Sequence, residues 1–128
     1  MITVAIRAVL ALVAIAVCLV WAARAAEPSP EDRAKFFQDV KAAVLVDGRT
    51  INCCGEGDGV KVKLTGFAGG IITAVITDTM KSQNGKVGDI LQIPTSLNTV
   101  NIFNPFAEPI AFINGLNMPY CLTGNAGI

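Results

Sequence analysis

Val60-Lys61-Val62-Lys63-Leu64-Thr65 alternates apolar and polar residues without a break, so Val60, Val62 and Leu64 share one face of an extended segment. A short glycine-bearing stretch, Gly66 to Gly70, predicts a turn. Ile71-Ile72-Thr73-Ala74-Val75-Ile76-Thr77 then returns as a second strand, apolar on both faces and therefore expected at the centre of a sheet. A period of two in consecutive segments joined by glycine reads as antiparallel β-structure.

Downstream the same grammar repeats. Asn84-Gly85 predicts a turn, Asp89–Ile93 a strand stopped by Pro94, and Val100–Phe103, Pro109–Ile113 and Tyr120–Leu122 three more strands. Asn114-Gly115 marks a hairpin between the last two, and Pro119, which lacks a backbone donor, assigns the final strand to a sheet edge. Upstream, Val44-Leu45-Val46, Asp47-Gly48 and Arg49-Thr50-Ile51 predict a small hairpin. Before it, Ser29 can cap a helix, Pro30 suits its first position, and Glu31 and Asp32 suit its positive end. Phe36, Phe37, Val40 and Val44 recur at helical spacing, so a helix is expected from Pro30 to Ala43 with its aromatic stripe in the core. The fold class expected is mainly β: a small antiparallel barrel or sandwich of about six short strands preceded by one amphipathic helix.

The first 25 residues read differently. Arg7 supplies a leading positive charge, Ala8 to Ala23 carry none, and Ala23-Arg24-Ala25 presents the small-residue pattern of a signal-peptidase site. At about 1.5 Å per residue the uncharged run extends roughly 24 Å, short of the hydrocarbon core of about 30 Å. Residues 1–25 are therefore expected to be a cleaved signal peptide and residues 26–128 a single domain, periplasmic or secreted. An uncleaved N-terminal anchor is the rival reading, and Val17 before Cys18 argues against a lipid anchor there.

Composition narrows the function. With Arg7 and Arg24 removed, eight basic residues face ten acidic ones and form no patch, which excludes nucleic acid and, once the signal is cleaved, an anionic membrane surface as expected partners. The chain has no histidine, which eliminates Ser-His-Asp and Cys-His catalysis and imidazole metal ligands. No phosphate-binding or dinucleotide-binding glycine motif stands between a strand and a helix. No cofactor is expected, and the enzyme class is disfavoured.

Three cysteines follow the expected cleavage site: Cys53, Cys54 and Cys121. Outside the cytoplasm a bridge is the default. Neighbours on an extended chain point to opposite faces, so one of Cys53 and Cys54 is expected to join Cys121, leaving the other over. Closing so long a loop is worth about 4 kcal/mol in the chain-entropy model. The remaining cysteine is either a buried inert group or else a reactive thiol or an intermolecular bridge. Cys53, Cys54, Met118 and Cys121 together also compose a ligand set of the kind Cu(I) prefers, the sharper alternative. In Gly55-Glu56-Gly57-Asp58-Gly59, Glu56 and Asp58 are weak candidates for binding or for a glycosidase acid–base pair; a calcium loop would need more oxygen ligands at other spacings.

Phe36-Phe37, Cys53-Cys54-Gly55-Glu56-Gly57-Asp58, Ala74-Val75-Ile76-Thr77-Asp78-Thr79, Asn104-Pro105 and Pro119-Tyr120-Cys121 occur in an order that resembles a group of small uncharacterised exported proteins of rhizobium-type alphaproteobacteria. The resemblance covers most of the chain after residue 25. It implies export and a cysteine-stapled domain, and it implies no reaction. Gly59 and Val60 stand where the group carries an aromatic residue after the acidic loop. The function expected is thus a non-enzymatic exported module that binds a protein or envelope partner; the alternative is a thiol-redox or copper-binding protein acting through Cys53 and Cys54.

Overall fold

A computed structural model describes residues 27–124; the expected signal peptide, with Cys18, lies outside them. Helix α1 spans Pro30–Asp39 and continues as a 3₁₀ turn, Val40–Ala42. Ser29 caps it, its hydroxyl oxygen accepting from the Asp32 N–H at 3.1 Å. The helix ends where the Val40 carbonyl accepts from the Cys53 N–H at 2.9 Å, so Ala43 starts a strand instead of a last helical turn. Strands β1 (Ala43–Val44) and β2 (Thr50–Ile51) form the expected small hairpin. Gly48, with φ +90°, makes its turn possible.

The main sheet contains β3 (Gly59–Ala68), β4 (Ile71–Asp78), β5 (Ile90–Pro94), β6 (Ile110–Ile113) and β7 (Pro119–Thr123), all antiparallel, in the order β5-β4-β3-β6-β7. The molecule is mainly β, as its sequence period implies, and β7 lies at an edge. The turn between β3 and β4 is tighter than expected: the strand runs on through Gly66 to Ala68, and only Gly69 and Gly70, both with positive φ, reverse the chain.

Two register shifts in β3, at Lys61/Val62 and Leu64/Gly66, are bulges that strengthen its twist. The sheet curls until its two edge strands approach each other. The chain leaving β5 crosses the gap, where Asn98 bridges Leu122 and Thr99 bridges Leu45. The sheet is stitched to the small hairpin in this way without closing into a barrel, and its packing is sandwich-like. Its concave face holds one core cluster around Val62, Ile76, Leu91, Ile93, Ile113 and Leu122. A second cluster lies between the sheet and α1, built on Phe36, Phe37, Phe106 and Phe112, whose rings meet mostly edge-to-face at centroid distances of 5.1–6.2 Å.

This two-sided arrangement corrects two expectations. β4 is interior, yet only one of its faces is buried: Ile72, Ala74 and Ile76 point inward, while Ile71, Thr73 and Val75 are half-exposed because nothing among the described residues overlies them. The strand buried on both faces is β6, with Ile110 and Phe112 toward the helix and Ala111 and Ile113 in the concave core. Nor is Val100–Phe103 a strand. The Val100 N–H donates to Val44 O, but Val44 N–H and Ala42 O are taken by the Asn101 side chain. Val100 and Phe103 then stand exposed. Asn84-Gly85 makes no hairpin turn; it lies within the long β4–β5 connection. Among the described residues no helix is long and apolar enough to cross a membrane.

Candidate functional site

The loop from Asn52 to Gly59 carries every chemically distinctive residue singled out above except Met118 and Cys121. Cys53 faces inward beneath α1 and bonds to Cys121, with Cα atoms 5.9 Å apart and both residues wholly buried. Cys121 pairs with Phe112 across β6–β7, so its side chain is on the helix side where Cys53 waits. The open choice between Cys53 and Cys54 is thereby decided. The bridge ties the end of the loop-rich N-terminal half to the last strand.

Cys54 faces the other way and is a free thiol of intermediate exposure. Its backbone is left-handed, φ +71°, held by the Asn52 side-chain oxygen, which accepts from the Cys54 N–H at 2.8 Å. Burial pushes the thiol pKa up, and the neighbouring Asp58 carboxylate pushes it further. A raised pKa leaves little thiolate at neutral pH, which disfavours nucleophilic or metal-binding roles.

Glu56 and Asp58 belong to separate networks. Arg33 holds Glu56 with Nε at 2.8 Å and a terminal nitrogen at 2.7 Å, and Lys81 adds a contact at 3.7 Å. Arg33 also lies over Phe37 and Phe106, 5.6 and 5.5 Å from the ring centroids. Asp58 instead accepts from Asn84 Nδ2 at 2.7 Å, and the same nitrogen donates to Ile113 O at 2.8 Å. This triangle fastens the β4–β5 connection to the cysteine loop and to β6. A carboxylate pair flanking one substrate is not what these contacts build.

Met118 is remote in environment from the bridge: it is 58 % exposed on the β6–β7 hairpin. With Cys53 and Cys121 bonded to each other, a Cu(I) site using both would require that bond to be reduced first. Among the described residues no group of three or more His, Cys, Asp or Glu is arranged to hold a metal.

Sequence reasoning passed over two features. Lys61, on the polar side of an alternating strand, is only 8 % exposed. Its ammonium sits 3.3 Å from Glu27, 3.9 Å from Glu108 and 5.6 Å from the Phe106 centroid. Alternation alone assigns it to solvent, and nothing local signals that Phe106 and Glu27 cover it. The second feature is a shallow groove of about 410 Å³ between the β5 edge and the β6–β7 hairpin, lined by Ile90, Leu97, Leu116 and Met118 with Gln92 and Asn117 among its polar groups. Ile90 is 64 % exposed and Leu116 84 %. In sequence Leu116 reads as an ordinary turn residue and Met118 only as a sulfur ligand; the curl of the sheet brings Ile90 beside them. Compared with protein-family models, with curated proteins and with solved structures, the chain matches none of them.

Proposed function

We propose that this chain is a non-enzymatic exported module, periplasmic or secreted, that binds a protein partner along the groove between β5 and the β6–β7 hairpin. The observation that carries the reading is the exposure of Ile90, Leu116 and Met118 around one groove without a charged residue in its lining. Contiguous exposed apolar surface of this kind is characteristic of interaction sites. β5 is an edge strand that pairs only with β4 among the described strands, so the occupant that fits is an extended, uncharged, apolar segment adding to that edge. The groups able to do chemistry are engaged elsewhere: Glu56 with Arg33, Asp58 with Asn84, Cys53 with Cys121. A bridge stapling a small domain is in keeping with an oxidising compartment. The thiol or copper alternative rests on Cys54 alone, whose pKa is displaced in the unhelpful direction.

A photo-crosslinking residue placed at Leu116, and separately at the solvent-facing Lys41 on the far side of the fold, tests the reading in exporting cells. A discrete protein adduct from position 116 that Ile90→Glu abolishes is the expected result. Equal adducts from both positions, or none from 116, refutes it. Intact mass of the recovered protein, expected to begin at Ala26, tests export and cleavage independently.

A further inference from the structure

We propose that Asn114-Gly115 is a site of spontaneous covalent modification, where Asn114 converts through a cyclic imide to aspartate or isoaspartate, and that the fold promotes this reaction there while blocking it at Asn84-Gly85. The inference is independent of the partner-binding reading.

The chemistry needs only water. Hydroxide removes the Gly115 amide proton, and the nitrogen attacks Asn114 Cγ. A C–N bond forms and the side-chain oxygen Oδ1 takes the negative charge. The Cγ–Nδ2 bond then breaks, and the nitrogen leaves as ammonia with a proton from water. A second water opens the five-membered imide at either carbonyl, giving aspartate or its isoaspartyl isomer. One water is consumed and one ammonia released in total, with no oxidant or reductant.

The geometry of the β6–β7 turn suits the first step. Asn114 Oδ1 accepts from two backbone N–H groups, Leu116 at 2.8 Å and Met118 at 3.0 Å. These donors already bond the oxygen on which charge develops, and hydrogen bonds to an ionised acceptor are roughly twice as strong as those to a neutral one, so they favour the tetrahedral adduct over the resting amide. The turn is held in register by Asn114 N–H to Met118 O at 3.0 Å and Asn117 N–H to Asn114 O at 3.1 Å. Gly115 is exposed and has no side chain to shield its nitrogen.

The sister site is built the other way. Asn84 uses its leaving nitrogen, not its oxygen, in hydrogen bonds: Nδ2 donates to Asp58 Oδ1 and Ile113 O. Gly85 is packed so closely that a Cβ there would lie 2.7 Å from Ile76 Cδ1 and 3.0 Å from Ile113 Cδ1, and its φ is +76°. This close packing and the two hydrogen bonds on Nδ2 oppose the reorientation that closes the imide ring. Conversion at Asn114 installs a negative charge two residues from Leu116, at the lip of a groove whose lining side chains are uncharged and whose nearest acid is Asp89, bonded to Asn117.

The test is peptide mapping by mass spectrometry of protein incubated in mildly alkaline buffer, native and, in parallel, reduced and unfolded in urea. In the unfolded chain both sites are flexible Asn-Gly dipeptides, so each serves as the other's reference. Expected in the native protein are conversion at Asn114 about tenfold faster than in the unfolded chain, less than the roughly 10²–10³ of a dedicated oxyanion donor because both N–H groups already bond Oδ1 in the resting amide, and conversion at Asn84 slower than in the unfolded chain. The native rate at Asn114 rises with pH. Gly115→Ala suppresses it without unfolding the protein, because a Cβ there meets nothing nearer than Asn84 Oδ1 at 3.7 Å. Native conversion at Asn114 no faster than unfolded, or equal native rates at the two asparagines, overturns the proposal.

Discussion

Cys121→Ala removes the bond to Cys53, and its cost can be worked from the chain. The two residues are 68 apart in sequence. In the chain-entropy model a loop of that length restrains the unfolded state by about 4 kcal/mol at 25 °C. Alanine at a wholly buried position adds a small cavity, whereas the freed Cys53 thiol behaves as a small hydrophobe and costs little in the core. The expected loss is therefore about 3–5 kcal/mol, a large share of the 5–15 kcal/mol a domain of this size typically has. At roughly 4–8 °C per kcal/mol, the melting temperature falls by about 12–40 °C. Urea unfolding under oxidising conditions measures the loss, with reduced parent protein as a second route to the same state. Cys54→Ala is the control and stays within about 0.5 kcal/mol of the parent. If Cys121→Ala unfolds at the parent's urea midpoint, or if the Cys54 variant suffers the larger loss, the bridge does not stabilise the fold as argued.

Three further outcomes follow from specific contacts. Gly85→Ala should cost about 2–4 kcal/mol, because the new Cβ collides with Ile76 and Ile113 and the residue must keep a positive φ; chemical denaturation that finds less than about 1 kcal/mol contradicts the packing. Lys61→Met should leave stability within about 1 kcal/mol of the parent or raise it, since a buried ammonium gives way to an apolar chain of similar length and the two glutamates it leaves, Glu27 and Glu108, are solvent-exposed; a large loss in the same assay would mean that the ion pairs outweigh burial. Cys54 should react slowly with a thiol reagent at neutral pH and gain reactivity only as pH rises beyond the range of an ordinary thiol, since burial and then Asp58 raise its pKa. By linkage, this group subtracts nothing from stability below the unfolded thiol pKa and weakens the fold above it, where the unfolded chain loses its proton first. Rapid labelling below pH 7 refutes the assignment.

The elements most readable in the sequence are those specified by neighbours a few residues apart. The β3 alternation, the Asp47-Gly48 turn and the Ser29 cap all act within one turn or one strand, whereas Pro94, expected to stop β5, is its last residue. Val100–Phe103 looked like a strand for the same local reason, and it fails because the Asn101 side chain occupies backbone groups that a ladder would have used. The candidate site was legible as a list of residues and illegible as an arrangement. Glu56 and Asp58 sit two positions apart, yet Arg33 and Asn84 draw them into separate networks, and both partners are more than twenty residues away in the chain.

By itself the sequence determined that the chain is mainly β, that a capped helix precedes the strands, and that a cysteine near residue 53 has a partner at Cys121. Each of these depends on residue period, local turn chemistry or the count of sulfur atoms. Only the tertiary structure decided that Cys53 and not Cys54 makes the bond, since that depends on which side of the Asn52 loop faces α1. It also decided that β6 is buried on both faces and that Lys61 is covered by Phe106 and Glu27. The physical reason is the same in each case. Burial is a property of what packs over a residue, and the packing partners here come from the curl of the sheet and the placement of the helix, contacts separated by tens of residues that no local pattern encodes.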